Sequence, residues 1–165
     1  MIRRLAVLTV TLAALAVAPV FAAPLHPFGQ GSWSELLKAH SGKPLVVHFW
    51  GVTCAPCMVE MPKWAALARD DLGFDLVLID ADPIEGAPED GGPMLAKMGL
   101  GDAESWRFAD GFVERLRFEV DPKWRGELPY TVLIDPDGRK RAVYGSVDFA
   151  EVKRWLEAQL DRKKH

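Results

Sequence analysis

Two cysteines lie three positions apart in a chain of 165 residues that contains no others. Cys54 and Cys57 fall within the stretch "VVHFWGVTCAPCMVEMPKW", and Pro56 stiffens the loop between them. Two thiols at this spacing can close a disulfide and open it again. The thiolate form of one of them can attack a disulfide in another molecule. The pair therefore predicts thiol–disulfide exchange.

A metal site is the other chemistry that two neighbouring thiols can support. A closed zinc site takes four ligands, and the sequence has no second cysteine pair. The histidines are not spaced to supply the missing ligands; they are His26, His40, His48 and His165. We therefore expect no metal, and no cofactor other than a redox-active disulfide between Cys54 and Cys57.

The residues around the cysteines predict a strand followed by a helix. "PLVVHFW" is rich in β-branched and aromatic residues, which is typical of a buried strand. "CMVEMPKWAALARDD" predicts a helix with a kink at Pro62. Cys54 would then lie at the helix N-terminus, where unpaired N–H groups and the helix dipole stabilise a thiolate. We expect Cys54 to be the nucleophile and Cys57, one turn later, to be the resolving thiol.

The remaining elements predict an α/β fold with a mixed central sheet flanked by helices. "GSWSELLKAHSGKPL" predicts a short first helix, with a capping box formed by Ser32 and Glu35. Three further strands are predicted at "FDLVLIDAD", "LPYTVLID" and "RKRAVYG", and a final amphipathic helix at "DFAEVKRWLEAQLDRKK". Between the second and third strands, "PMLAKMGL" and "GFVERLRFEV" predict a helical insert.

Two segments carry a family resemblance. "HFWGVTCAPCMVEMP" resembles the active-site segment of thioredoxin-like proteins, most closely the exported TlpA-like thiol:disulfide oxidoreductases; its "FW" and Pro62 both match. "ELPYTVLID" resembles the second landmark of that family, a cis-proline that faces the disulfide, and Pro129 matches it. The likeness extends from Ser32 to about Leu160. It implies a thioredoxin-like fold with the helical insert before the cis-proline strand.

The resemblance also implies roles for individual residues. The expected catalytic residues are Cys54, Cys57, Glu60 and Pro129; the expected supporting residues are Trp50 and Pro56; and the expected substrate-lining residues are Leu128 and Tyr130. His48 is a further supporting candidate, from its position in this chain and not from the resemblance. Glu60 matches an acidic residue that is characteristic of exported reductases.

Two positions depart from the family pattern. Thioredoxin has an aspartate six residues before the first cysteine, where this chain has His48, and many relatives have tryptophan where it has Thr53. Without that aspartate, Glu60 is the best candidate for moving protons on and off Cys57. His48 is either a packed strand residue or a group that tunes the thiols, and Glu60 itself could be a solvated helix acid.

The direction of electron flow is predicted from the motif interior. Ala55 and Pro56 offer no histidine such as DsbA-type oxidases carry there, and an acid at position 60 disfavours a thiolate. Both features favour a reductase over the alternative of a DsbA-like oxidase. A Sco-like copper-binding protein is the other alternative, but only His165 follows Cys57. By resemblance, the partners are cysteine-containing periplasmic proteins, in cytochrome c maturation or copper-site assembly, and a membrane electron donor of DsbD type.

The N-terminus predicts export. Arg3 and Arg4 precede a run without charge, and "VFA" ends at Ala22 with small residues at the positions that a signal peptidase reads. We expect a signal peptide at residues 1–22, a thioredoxin-like domain at residues 23–165 and a periplasmic location. An uncleaved anchor is the alternative. A net charge of −3 without a basic stripe argues against a nucleic-acid partner.

Overall fold

The computed structural model describes residues 25–70, 72–82 and 92–163. The predicted signal peptide at residues 1–22 lies outside the described residues. In the described part of the chain, no helix is both long enough and apolar enough to cross a bilayer.

Within the described residues, six strands form one sheet in the order β1-β4-β3-β2-β5-β6. Their bounds are β1 His26–Phe28, β2 Leu45–Trp50, β3 Asp75–Asp80, β4 Glu104–Phe108, β5 Tyr130–Ile134 and β6 Lys140–Tyr144. Strands β1, β4, β3 and β2 run parallel to one another, whereas β5 is antiparallel to β2 and β6 is antiparallel to β5. The predicted mixed sheet is therefore confirmed.

Five helices accompany the sheet in the described residues. Their bounds are α1 Ser32–Ala39, α2 Ala55–Arg69, α3 Gly92–Lys97, α4 Val113–Val120 and α5 Phe149–Lys163. Helix α2 continues through Pro62 without interruption. The predicted capping box of α1 is wrong: the N-cap residue is Gly31, with φ 85°, and Ser32 is already helical. Its hydroxyl accepts a hydrogen bond from the Gly29 N–H instead, at 3.0 Å.

All six residues of β2 are buried, as expected for a strand with neighbours on both edges and packing on both faces. Side chains alternate between the two faces of a strand. Phe49 accordingly packs in one apolar cluster with Trp33, Trp124 and Tyr130. Trp50 packs in the other cluster, which contains Cys57, Met61 and Trp64 of α2. The strand that precedes the cysteines thus anchors the core on both sides.

The segment between β3 and β5 differs from the predicted helical insert. It contains the two short helices, but β4 lies between them and extends the sheet beyond β3. The three-residue strand β1 then pairs with β4 and was not predicted either. The sequence of β4, "ESWRF", has two buried residues among five and no apolar run. Its strand conformation comes from pairing with β3, which local sequence does not specify.

Candidate active site

Cys54 and Cys57 form a disulfide at the start of α2, with their Cα atoms 5.2 Å apart. Cys54 is the N-cap residue of the helix, and its Sγ accepts a hydrogen bond from the Cys57 N–H at 3.2 Å. Cys57 is fully buried, whereas Cys54 is partly exposed. An incoming molecule can therefore reach only the sulfur of Cys54, which also lies where the helix dipole stabilises a thiolate.

Pro56 lies in the first turn of α2. This is a favourable place for proline, because the first N–H groups of a helix have no partner within the helix in any case. The fixed φ of the ring holds the loop between the two cysteines in a helical conformation.

Pro129 lies beside the end of β2 from which the cysteine loop departs. The Leu128–Pro129 peptide bond is cis. The next residue, Tyr130, pairs with Phe49 of β2, and the Pro129 carbonyl accepts a hydrogen bond from the Gly145 N–H at 2.9 Å. The segment before β5 thus borders the loop that carries Cys54.

The two predicted substrate-lining residues differ in exposure. Leu128 is half-buried. Tyr130 is fully buried, its ring stacks on Trp124 with centroids 4.5 Å apart, and its hydroxyl donates to Asp121 at 3.0 Å. Tyr130 could therefore contact a substrate through its backbone and not through its buried ring. Aromatic packing behind β5 takes it into the core.

Glu60 is a buried carboxyl and not a solvated helix acid. Its side chain is 3% exposed, and its Oε1 accepts a hydrogen bond from the Val147 N–H at 2.8 Å. Burial raises the pKa of the Glu60 carboxyl, against the opposing effect of that hydrogen bond. Because residues three apart on a helix are neighbours, Glu60 lies on the same buried face of α2 as Cys57.

His48 lies in the middle of β2 with no exposed surface. Its Nδ1 is 2.9 Å from Oγ1 of Thr131, the residue directly opposite on β5. Its Nε2 is 3.9 Å from Oε2 of Glu60. Burial lowers the pKa of His48 to about 3, so the imidazole is neutral near pH 7.

Sequence reasoning missed a polar group that supports the cysteine loop. The Thr53 hydroxyl donates to Asp82 at 2.5 Å, and the Asp82 N–H donates to the carboxylate of Asp80 at 3.2 Å. Asp80 is the last residue of β3 and pairs with Trp50, the last residue of β2. The carboxyl ends of adjacent parallel strands meet at one edge of a sheet. That rule, applied to "IDAD" after the second predicted strand, could have found this group.

Gly51 has no room for a side chain. A Cβ at this position would lie 2.6 Å from the Cβ of Asp82 and 3.2 Å from Cδ1 of Leu128. We predict that Gly51→Ala displaces Asp82 and weakens its bond to Thr53, so that overpacking lowers stability by about 1–3 kcal/mol. Urea unfolding measures this effect. Gly111→Ala, with open space around the added Cβ and no left-handed φ, is the control without a clash. Amide hydrogen exchange measures the protection of the backbone at Thr53. An equal loss of that protection in both variants would contradict a local clash.

No metal centre is present in the described ranges, since none of their His, Cys, Asp and Glu side chains form a group of three that could hold an ion. His165, the only histidine that follows Cys57, lies outside those ranges.

The chain is similar to known thiol–disulfide oxidoreductases. No model of a known protein family matches it. The thiol-disulfide oxidoreductase ResA of Bacillus thuringiensis is 27% identical over 128 residues, which are 76% of this chain and 66% of that protein. The match thus spans slightly less than two thirds of the relative's length. It confirms the predicted resemblance to thiol–disulfide oxidoreductases.

Solved structures of low sequence identity have the same fold. A thioredoxin-related protein from Neisseria meningitidis superposes with a TM-score of 0.59 at 21% identity, over 76% of this chain and 90% of the other. A secreted disulfide oxidoreductase of Mycobacterium tuberculosis, described as homologous to DsbE of E. coli, gives a TM-score of 0.56 at 21% identity, over 73% and 85%. The predicted thioredoxin-like fold is confirmed.

Proposed function

We propose that this protein is an exported thiol–disulfide oxidoreductase that reduces disulfides in other proteins by exchange at Cys54 and Cys57. One observation carries the proposal: a partly exposed cysteine caps a 15-residue helix and is bonded to a fully buried cysteine one turn later. The similarity to ResA supports it, and the secreted relative of similar fold is consistent with export.

The reaction cycle follows from which sulfur is accessible. In the reduced protein, the Cys54 thiolate attacks one sulfur of a substrate disulfide and releases the other as a thiolate, which leaves a mixed disulfide. The Cys57 thiolate then attacks the Cys54 sulfur. The substrate leaves as a dithiol and the Cys54–Cys57 disulfide forms again. Two electrons pass to the substrate, and an external dithiol must return them.

Glu60 is the proposed proton acceptor in this cycle. Cys57 has to lose its proton before it can attack, and it has no access to solvent. Glu60, on the same buried face of α2, has a carboxyl whose pKa burial raises. A pKa nearer to the working pH lets one group both accept and return a proton.

The proposed direction is reduction. A strong oxidant stabilises its thiolate with several hydrogen-bond donors, and at Cys54 the donor in the described structure is the Cys57 N–H. The intervening Ala55 and Pro56 carry no polar side chain. Beyond the helix N-terminus, no side chain within the motif stabilises the thiolate, and this favours a better electron donor than an oxidase with a histidine there.

The reduction potential of the Cys54–Cys57 pair tests this direction. We predict a value closer to the roughly −270 mV of thioredoxin than to the roughly −120 mV of DsbA. Equilibration with glutathione or dithiothreitol buffers, followed by thiol alkylation and mass determination, measures it. A potential above about −170 mV would show that the protein is an oxidant and would overturn the assignment.

The partners follow from the family resemblance. Cysteine-containing periplasmic proteins are the proposed substrates, either apocytochromes c or copper-site proteins, and a membrane protein of DsbD type is the proposed electron donor. Residues 1–22 are the proposed signal peptide, with a retained membrane anchor as the other form that export could take.

A further inference from the structure

Two buried polar atoms face one another beneath the redox helix. Nε2 of His48 and Oε2 of Glu60 are 3.9 Å apart, and neither has a hydrogen-bond partner in the structure. Both side chains are almost completely inaccessible, at 0% and 3% exposure. Unpaired buried polar atoms are rare and costly. The distance is too long for a hydrogen bond, but a change of about 1 Å in either side chain would close it.

The opposite nitrogen of the imidazole determines what Nε2 can do. Nδ1 of His48 is 2.9 Å from the Thr131 hydroxyl, which can either donate or accept. If Nδ1 carried the proton, a bare lone pair on Nε2 would face the carboxylate oxygen of Glu60. If Thr131 donates to Nδ1, the proton of the neutral imidazole lies on Nε2 and points toward Glu60. The second arrangement gives a hydrogen-bond partner both to Nε2 of His48 and to Oε2 of Glu60.

We propose that His48 is a positioning residue for Glu60: Thr131 holds the imidazole in the tautomer protonated on Nε2, and this N–H is the donor for the ionised Glu60 carboxylate. The arrangement connects β5, β2 and α2 in one chain of hydrogen bonds. It rests on the proposed function only in that Glu60 exchanges a proton with Cys57.

Other donors also lie near the Glu60 carboxyl, and one of them is the Ser146 hydroxyl, which lowers its pKa. Val147 donates its N–H to Oε1, the other oxygen of the carboxyl. The charge of Lys63, one turn along α2, acts on Glu60 from an exposed position, where water screens it. Trp64 has a buried indole N–H without a partner, and its ring lies 5.2 Å from that of His48. Trp64 and Ser146 are therefore the rival donors that an experiment must separate from His48.

The consequence concerns when Glu60 can accept a proton. A hydrogen bond to a charged group is stronger than one to its neutral form, so a donor at Oε2 favours the carboxylate. Without it, the burial of Glu60 would hold the carboxyl protonated over a wider pH range. A protonated Glu60 could not accept the Cys57 proton. His48 thus keeps Glu60 available as a base without becoming charged itself.

The test follows the Glu60 carboxyl by carbon NMR in the oxidised protein, where neither cysteine titrates. We expect His48→Leu to raise the apparent pKa of Glu60 by about 1 unit, since it removes a donor to the charged form. His48→Gln, which restores an amide donor, should return much of that shift. Thr131→Val should give a smaller shift in the same direction, and Thr131→Ser should give none. Nitrogen NMR of the wild-type protein should show a protonated Nε2 and an unprotonated Nδ1.

An unchanged Glu60 titration in folded His48→Leu protein would overturn the proposal and leave His48 as a packing residue. So would a shift caused by Trp64→Phe or Ser146→Ala but not by His48→Leu. An imidazole protonated on Nδ1 while Glu60 is ionised would overturn it as well. None of these measurements requires redox activity. A protein that fails to reduce disulfides but shows the Glu60 shift would therefore contradict the proposed function and not the hydrogen-bond chain.

Discussion

Cys54→Ser is expected to lower insulin reduction by dithiothreitol to the rate of dithiothreitol alone. Cys54 is the partly exposed sulfur of the pair, and Cys57 has no accessible surface to take over the attack. A serine hydroxyl cannot replace the thiolate as a nucleophile toward disulfides. Turbidity of the precipitating insulin B chain measures the rate.

A matched control separates loss of chemistry from loss of structure. Ala66 lies on the exposed face of the same helix, and Ala66→Ser should retain full activity. Both variants should unfold cooperatively on heating. Activity above background in folded Cys54→Ser protein would contradict the assignment of Cys54 as the nucleophile.

Cys57→Ser is expected to accumulate covalent complexes with substrate proteins. Cys54 stays at the helix N-terminus and can still attack, but the thiol that resolves the mixed disulfide is missing. Expressed with its native partners, this variant should migrate as several higher-mass species on non-reducing gels, and dithiothreitol should release them. The double variant with both cysteines replaced by serine is the control and should form none.

The identity of the trapped proteins decides between the proposed roles. Apocytochromes would support haem attachment, and a copper-site subunit would support metallation. Many unrelated secreted proteins would indicate a general reductase. The absence of any complex, with Cys54 alkylated readily by iodoacetamide, would contradict the exchange mechanism.

The sequence predicts the parts of this site that lie on contiguous segments. The buried strand β2 and helix α2 follow from an apolar run and from helical periodicity, and Cys54, Cys57 and Glu60 are carried by one stretch of seven residues. The burial of Glu60 was not predicted, because it depends on Val147, which is 87 positions away in sequence.

Contacts between distant segments were beyond sequence reasoning. The side chains of His48 and Thr131 form a hydrogen bond although they are 83 positions apart in sequence, and those of Thr53 and Asp82 do so at a separation of 29 positions. These contacts depend on the register between strands, which tertiary packing sets. Strands β1 and β4 were missed for the same reason, because each forms by pairing with the edge strand of the sheet. The stacking of Tyr130 on Trp124 was not predicted either, because no local pattern shows which face of β5 packs against Trp124.

The burial of His48 next to Glu60 has a consequence for resistance to acid. An unfolded chain protonates histidine near pH 6.5, whereas burial lowers the pKa of His48 to about 3. Between these two pH values the unfolded chain binds a proton at His48 that the folded protein does not bind. Acidification therefore lowers the free energy of unfolding through His48. Glu60 acts in the opposite sense: burial raises the pKa of its carboxyl, so the folded protein binds that proton before the unfolded chain does. This pairing therefore offsets part of the acid sensitivity that a lone buried histidine brings.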